Sequence, residues 1–160
     1  MTYAAQTQVS SDKSRFEIER TLIRYGAGGF LYGWDDERNR AMVSFRIGGK
    51  MFKIVVPLPA KNDREFLYTP ERGKPRSPQA AETAWEQATR QRWRALTLWI
   101  KAVLEAAESG ITTLEEALQP FILLPSGETV GEWMKDQIDQ AYLTGKMPAF
   151  LPMLEHQKDA

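Results

Sequence analysis

GGFLYGWDDERNRAMVSFRIGGKMFKIVVP, residues 28–57, is the stretch that decides the fold. Residues 28–35, 40–47 and 50–57 each alternate apolar with polar or small side chains, the period of a half-buried strand. Gly48-Gly49 is a two-residue hairpin signal. Closing the chain there sets Val43 opposite Ile54 and Phe45 opposite Phe52, with Ser44 opposite Lys53 and Arg46 opposite Met51 on the other side. A loop over 36–39 sets Phe30 opposite Phe45, Tyr32 opposite Val43, Trp34 opposite Ala41 and Asp35 opposite Arg40. The two registers are independent, yet they select the same inner face. That agreement predicts a three-stranded antiparallel meander. Its outer face carries Arg40, Arg46 and Lys53 among Leu31, Met42, Met51 and Val55.

Outward from the meander, helices are expected on both sides. Ser14-x-x-Glu17 reads as a capping box, Gly26 as a stop, and Ile18, Leu22 and Tyr25 as an inward stripe. Downstream, 59–77 is a long loop with scattered prolines and charges. Ser77 and Pro78 then open a long central helix over about 78–108, stopped by Gly110. Thr112 and Thr113, each three residues before a glutamate, cap a short helix limited by Pro120. Thr129-x-x-Glu132 caps a last helix, with Val130, Trp133, Met134, Ile138, Ala141 and Tyr142 expected inward and Gly145 as its stop. The reading is one α+β domain over 11–154, with a C-terminal helical half, a disordered start over 1–10 and a disordered tail over 155–160. KMPAFLPML (146–154) is expected to pack extended over the core.

Several function classes become poor fits. The chain has no cysteine, which removes thiolate metal sites and thiol catalysis. Its one histidine, His156, lies in the frayed tail, a poor place for a general base. No phosphate-cradling glycine motif is present: Gly26-Ala27-Gly28-Gly29 has no following Lys-Ser/Thr. Asp35-Asp36-Glu37 and Glu115-Glu116 have ordinary explanations in turn chemistry and the helix dipole. A non-enzymatic protein without catalytic residues, cofactor or metal is therefore expected. No apolar run reaches the ~20 residues of a membrane helix, because Lys101 interrupts the best candidate.

Net charge is zero but unevenly spread. Residues 1–101 hold 18 Lys/Arg against 11 Asp/Glu, a balance of +7; residues 102–160 hold 3 against 10, a balance of −7. Either the basic half meets an acidic partner or the two halves attract each other. RQRWRALTLWIK (90–101) sharpens the question. At about 100° per residue from Trp93, an apolar arc runs from about 180° through 360° to 20°. Arg90, Arg94 and Lys101 form a narrow basic stripe outside it. Two readings stay open for the stripe: phosphate contacts shared with Arg40, Arg46 and Lys53, or a solvated face paired to Glu86 and Glu105. Arg92 falls inside the arc with Trp85 and Trp99. It is expected either in a buried ion pair or lining a cleft beside a tryptophan, and Arg92→Ala is expected to cost more stability than Arg94→Ala. Met42 and Met51, with the acidic Glu128, Glu132, Asp136 and Asp139, are candidates for a protein interface or for nucleic-acid mimicry. The loop cations Arg72, Lys74 and Arg76 are expected to be mobile. The order helix, three strands, helix matches the double-stranded-RNA-binding domain in element order alone.

IERTLIRYGA (18–27), RQRWRALTLWIKAVLEAAESGITTLEEAL (90–118) and LPSGETVGEWMKDQIDQAYLTGKMP (124–148) together resemble a family of small tailed-bacteriophage and prophage proteins. The resemblance covers most of the chain except the termini and the 59–78 loop. That family carries no established activity, so it lends no catalytic residues. It implies a cytoplasmic phage product in an infected bacterium. The partner would be nucleic acid of either type, or a host or phage protein complex such as a defence system; homo-oligomerisation stays open.

Overall fold

The computed structural model describes residues 4–146. The chain runs α1 (Ser11–Arg24), β1 (Gly28–Asp35), β2 (Arg40–Ile47), β3 (Lys50–Pro57), α2 (Arg64–Leu67), α3 (Pro78–Glu108), α4 (Leu114–Leu118), a 3-10 turn (Gln119–Phe121) and α5 (Val130–Thr144). The fold is α+β, with an N-terminal helix and a long central helix on one face of a three-stranded antiparallel sheet ordered β1-β2-β3.

The β2–β3 register is the expected one throughout, from Arg40 opposite Pro57 to Ile47 opposite Lys50. β1–β2 follows the expected register from Leu31 to Asp35 and then slips, so that Gly28 pairs with Arg46. Gly29 absorbs the bulge at φ +63°, a backbone state that costs other residues strain. Phe30 thereby loses its ladder position opposite Phe45 but keeps its ring stacked on it, centroids 5.8 Å apart.

Ala41, Val43, Phe45, Phe52, Ile54 and Val56 form the buried floor on which the helices pack. α3 meets it along Thr89, Trp93, Thr97, Ile100 and Leu104, spaced by four, four, three and four residues. This stripe is centred on Trp93, at one edge of the wide apolar arc rather than its middle. α1 adds Ile18 and Leu22. It begins at Ser11, not near Ser14: the Ser10 hydroxyl accepts from Lys13 N (3.2 Å). The earlier start turns Ser14 into the α1–α3 seam, where its backbone oxygen accepts from Thr97 Oγ1 (3.4 Å). Residues 4–10 lie against α3: Ala4 is buried, and Gln87 Nε2 donates to the carbonyls of Ala5 (3.3 Å) and Thr7 (3.1 Å).

Two further regions differ from expectation. The 59–77 loop has structure of its own. Phe66 is buried, and residues 67–76 close a hairpin through Arg76 N to Leu67 O (2.8 Å) and Thr69 N to Lys74 O (2.8 Å). α5 buries none of its residues. Trp133, Ile138 and Tyr142, expected inward, are 41%, 43% and 89% exposed. The cause is placement: α5 packs chiefly on the 3-10 turn and so lies beside the core rather than over it. The KMPAFLPML segment past Lys146 and the HQKDA tail with His156 fall outside the described residues. Among the described residues, no helix is long and apolar enough to cross a membrane.

Candidate functional site

The six cations singled out for phosphate contact do not converge. Arg40, Arg46 and Lys53 stand on the outer face of the sheet, alternating with its buried residues. Arg90, Arg94 and Lys101 are on α3, which packs on the inner face. Most are also engaged within the fold. Arg40 Nε donates to Asp35 (2.9 Å), which holds the Asp35 carboxyl below its ordinary range. Lys53 Nζ donates to Gly127 O (2.9 Å) and lies 3.7 Å from Glu132. Arg90 reaches Gln87 Oε1 (2.6 Å) and Glu86 (3.8 Å). Lys101 and Arg94 (2.8 Å) both clasp Glu17 of α1. The hydrogen bond from Lys101, with help from Arg94, draws the Glu17 carboxyl below its ordinary value. Among the described residues, only Arg46 of the six has no carboxylate at ion-pair distance. The stripe is thus paired from two sources: Glu86 meets Arg90 as sequence spacing indicated, whereas Arg94 and Lys101 take Glu17 of α1, an acid seventy-seven positions from Arg94, in place of Glu105.

Arg92 is exposed, so it is not half of a buried ion pair. With the packing stripe centred on Trp93, Arg92 points sideways and lines a groove of about 600 Å³ with Glu65, Ala88 and Leu98. The two tryptophans do other work. Trp85 Nε1 donates to Pro59 O (2.8 Å), and Lys61 lies 4.2 Å from its ring centre. Trp99 packs edge-on against Phe121 at 5.2 Å. They fasten the loop and the 3-10 turn to α3 and do not line the Arg92 groove.

The outer sheet face and α5 form the other candidate region. A cavity of about 220 Å³ has Gly33, Met42 and Val55 as its apolar floor, between the Arg40–Asp35 and Lys53–Glu132 pairs. Gly33 makes room for Met42: a Cβ at position 33 would sit 2.9 Å from Met42 Cε. Met51, opposite Arg46 on the same face, is 37% exposed and does not line the cavity. Thr129 starts α5 with a full capping box; the backbone N–H of Thr129 donates to Glu132 (2.7 Å) and, ahead of Lys53, lowers that carboxyl's pKa. Glu128, Asp136 and Asp139 are exposed. On α5, Trp133, Met134, Ile138 and Tyr142 follow one another at spacings of one and four, and Asp136 and Asp139 fall on the opposite flank.

Sequence reasoning passed over Arg64 and Tyr68. The spacing Thr69-Pro70-x-x-Gly73 is a turn signal that could have marked them. Tyr32, pushed up to about 12 chiefly by burial, donates to Arg15 O (2.8 Å) in a structural role. Among the described residues, no group of three or more His, Cys, Asp or Glu is arranged to hold a metal ion. No protein-family model, curated protein or solved structure matches the chain.

Proposed function

We propose that this chain is a non-enzymatic adaptor or inhibitor that docks on a protein partner by laying the apolar stripe of α5 into a groove. One observation carries the reading: a capped, fifteen-residue amphipathic helix leaves Trp133, Ile138 and Tyr142 in solvent. Ile138 and Tyr142 share one stripe with Met134 at i, i+4 and i+8, the kind of spacing a helix-in-groove anchor set uses, while Trp133 lies about 100° to one side of Met134. Contiguous exposed apolar stripes are uncommon on monomers and serve as interaction sites. The acidic flank, Glu128, Asp136 and Asp139, calls for a groove with a basic rim. By contrast, the basic half spends most of its expected phosphate ligands on internal pairs, which weakens the nucleic-acid reading at Arg40, Lys53, Arg90, Arg94 and Lys101. The resemblance to tailed-phage proteins supports a partner in an infected bacterium, such as a host enzyme or a defence complex.

The test is capture from bacterial lysate after nuclease treatment, followed by a binding measurement on the purified partner. One stoichiometric protein is expected, with affinity falling about 30-fold or more in Ile138→Asp, an effect of the size seen at interface hot spots. Unchanged affinity in both Ile138→Asp and Tyr142→Asp would sink the proposal. Light scattering that shows a dimer dissolved by the same substitutions would reassign the stripe to self-association.

A further inference from the structure

Arg72, Lys74 and Arg76, expected to be mobile, are instead mounted on a braced hairpin beside the Tyr68 ring. Phe66, 4% exposed, anchors α2 against α3. Tyr68 bridges to Pro75, Gly73 N donates to Thr69 O (2.9 Å), and Lys74 N donates to the Thr69 hydroxyl (3.1 Å). Gly73 turns the tip at φ +58°. Pro70 and Pro75 fix the backbone further.

The guanidinium of Arg64 lies 5.8 Å from the centre of the Tyr68 ring. Arg76 Nε donates to Tyr68 O (3.3 Å), and Arg72 and Lys74 are exposed at the tip. The ring is 39% exposed and forms one wall of a groove of about 490 Å³ shared with Arg64, Thr69 and Pro70. Among the described residues, no carboxylate stands within ion-pair distance of Arg64, Arg72, Lys74 or Arg76. In this they resemble Arg46 and differ from Arg40, Lys53, Arg90, Arg94 and Lys101, each of which has a carboxylate at ion-pair distance, although Glu65 also lines the groove. The adjoining groove shares Glu65 and adds Arg92.

We infer that the 67–76 hairpin, with Arg64 at its base, binds single-stranded nucleic acid. Tyr68 stacks a base, and Arg64, Arg72, Lys74 and Arg76 track the phosphates. A half-exposed aromatic ring among unpaired cations, in a groove, is the arrangement that single strands recognise: every base has a π-face, and the backbone needs only charge. A duplex keeps its base faces covered and would use the cations alone. The site goes beyond the α5 reading and shares no residue with it.

The experiment is fluorescence anisotropy of the full chain with labelled oligo(dT), oligo(rU) and a DNA duplex. Four phosphate contacts to a single strand predict a slope of log affinity on log salt of about −2.8, a loss of roughly 50-fold between about 50 and about 200 mM salt. Arg72→Ala/Lys74→Ala is expected to halve that slope. Tyr68→Ala is expected to weaken single-strand binding about tenfold, and Tyr68→Phe to restore it. Lys13→Ala, an exposed cation on α1, serves as the control and should change nothing. Because these side chains are exposed, a thermal melt of each variant separates lost binding from lost folding. No binding at about 50 mM salt, a duplex bound more tightly than the single strands, or Tyr68→Ala behaving as wild type would overturn the inference.

Discussion

Replacing Tyr142 with alanine is expected to leave the fold nearly untouched, while Trp93→Ala removes a large share of its stability. A fully buried large aromatic forfeits about 3–5 kcal/mol on truncation, through lost transfer energy and the cavity left behind. Trp93 is completely buried, with Tyr32 and Trp34 rings at 6.4 and 6.2 Å. Its indole N–H has no partner, so truncation orphans no hydrogen-bonding group and about 4 kcal/mol is the expected loss. For a domain this size, about 3 °C per kcal/mol makes that a fall of about 12 °C in Tm. Tyr142 is 89% exposed, leaving about a tenth of the same cost, roughly 0.4 kcal/mol. The better helix propensity of alanine returns about 0.5 kcal/mol, so the net is near zero. Urea unfolding followed by circular dichroism, run at two protein concentrations, measures both. If Tyr142→Ala costs more than about 1.5 kcal/mol, the α5 stripe is already covered and is not waiting for a partner. A midpoint that rises with protein concentration in the wild type and not in the variant would name a second copy as the cover.

Three further outcomes follow from named contacts. Glu17→Gln is expected to cost about 0.5–1 kcal/mol near neutral pH, the range of partly exposed pairs. Because the folded pKa of Glu17 is lowered from 4.5, its contribution is present above that value and lost as pH falls through the folded pKa. The gap between wild type and variant should therefore close on acidification below 4.5, and a gap independent of pH would show that the charge is not the cause. Gly131→Ala should destabilise by about 1–3 kcal/mol despite alanine's propensity, since its Cβ would sit 3.0 Å from Pro120 O; chemical denaturation of a stabilised variant would show that α5 is not seated on the 3-10 turn. Arg94→Ala should lower Tm more than Arg92→Ala, the reverse of the order that the helical wheel suggested, because Arg94 is bonded to Glu17 and Arg92 is exposed.

The meander was legible in the sequence because a period of two and two short turns leave almost no freedom of register. A slip of one residue would have put Val43, Phe45, Phe52 and Ile54 into water. The bulge at Gly28–Leu31 was not legible, since an extra residue at a strand end preserves the pattern of the rest. The face of α3 was read only in part. A helix apolar through more than half its circumference has several orientations of similar burial, and the sheet selected the one centred on Trp93. With α3 centred on Trp93, Arg92 falls outside the buried stripe and is exposed. The charge asymmetry between the halves is bridged at Lys50–Glu115 (2.9 Å) and Lys53–Glu132 (3.7 Å), whereas the pairing of Glu17 with Arg94 and Lys101 lies wholly within the basic half. No spacing rule connects residues on two helices that meet only after folding.

Amphipathicity has a limit that α5 makes plain. A hydrophobic stripe states that one face prefers to leave water; it does not state what will cover it. The pattern of Met134, Ile138 and Tyr142 is therefore the same for a core helix and for a docking helix, and only the location of α5 beside the 3-10 turn separates the two. The hairpin teaches the converse. Prolines, a glycine and scattered charge signal a loop, but a loop pinned by Phe66 and closed by its own backbone bonds holds its cations in place, so binding does not first require ordering them. The start of α5 sits near Lys53 on the outer face of the sheet, whereas α2 and its hairpin pack on α3 at the inner face. Substitutions at Ile138 and Tyr68 should consequently act independently, each weakening one contact and sparing the other. A chain that held a protein on one side and a strand of nucleic acid on the other would bridge the two, and loss of both contacts from either single substitution would show instead that they are one site.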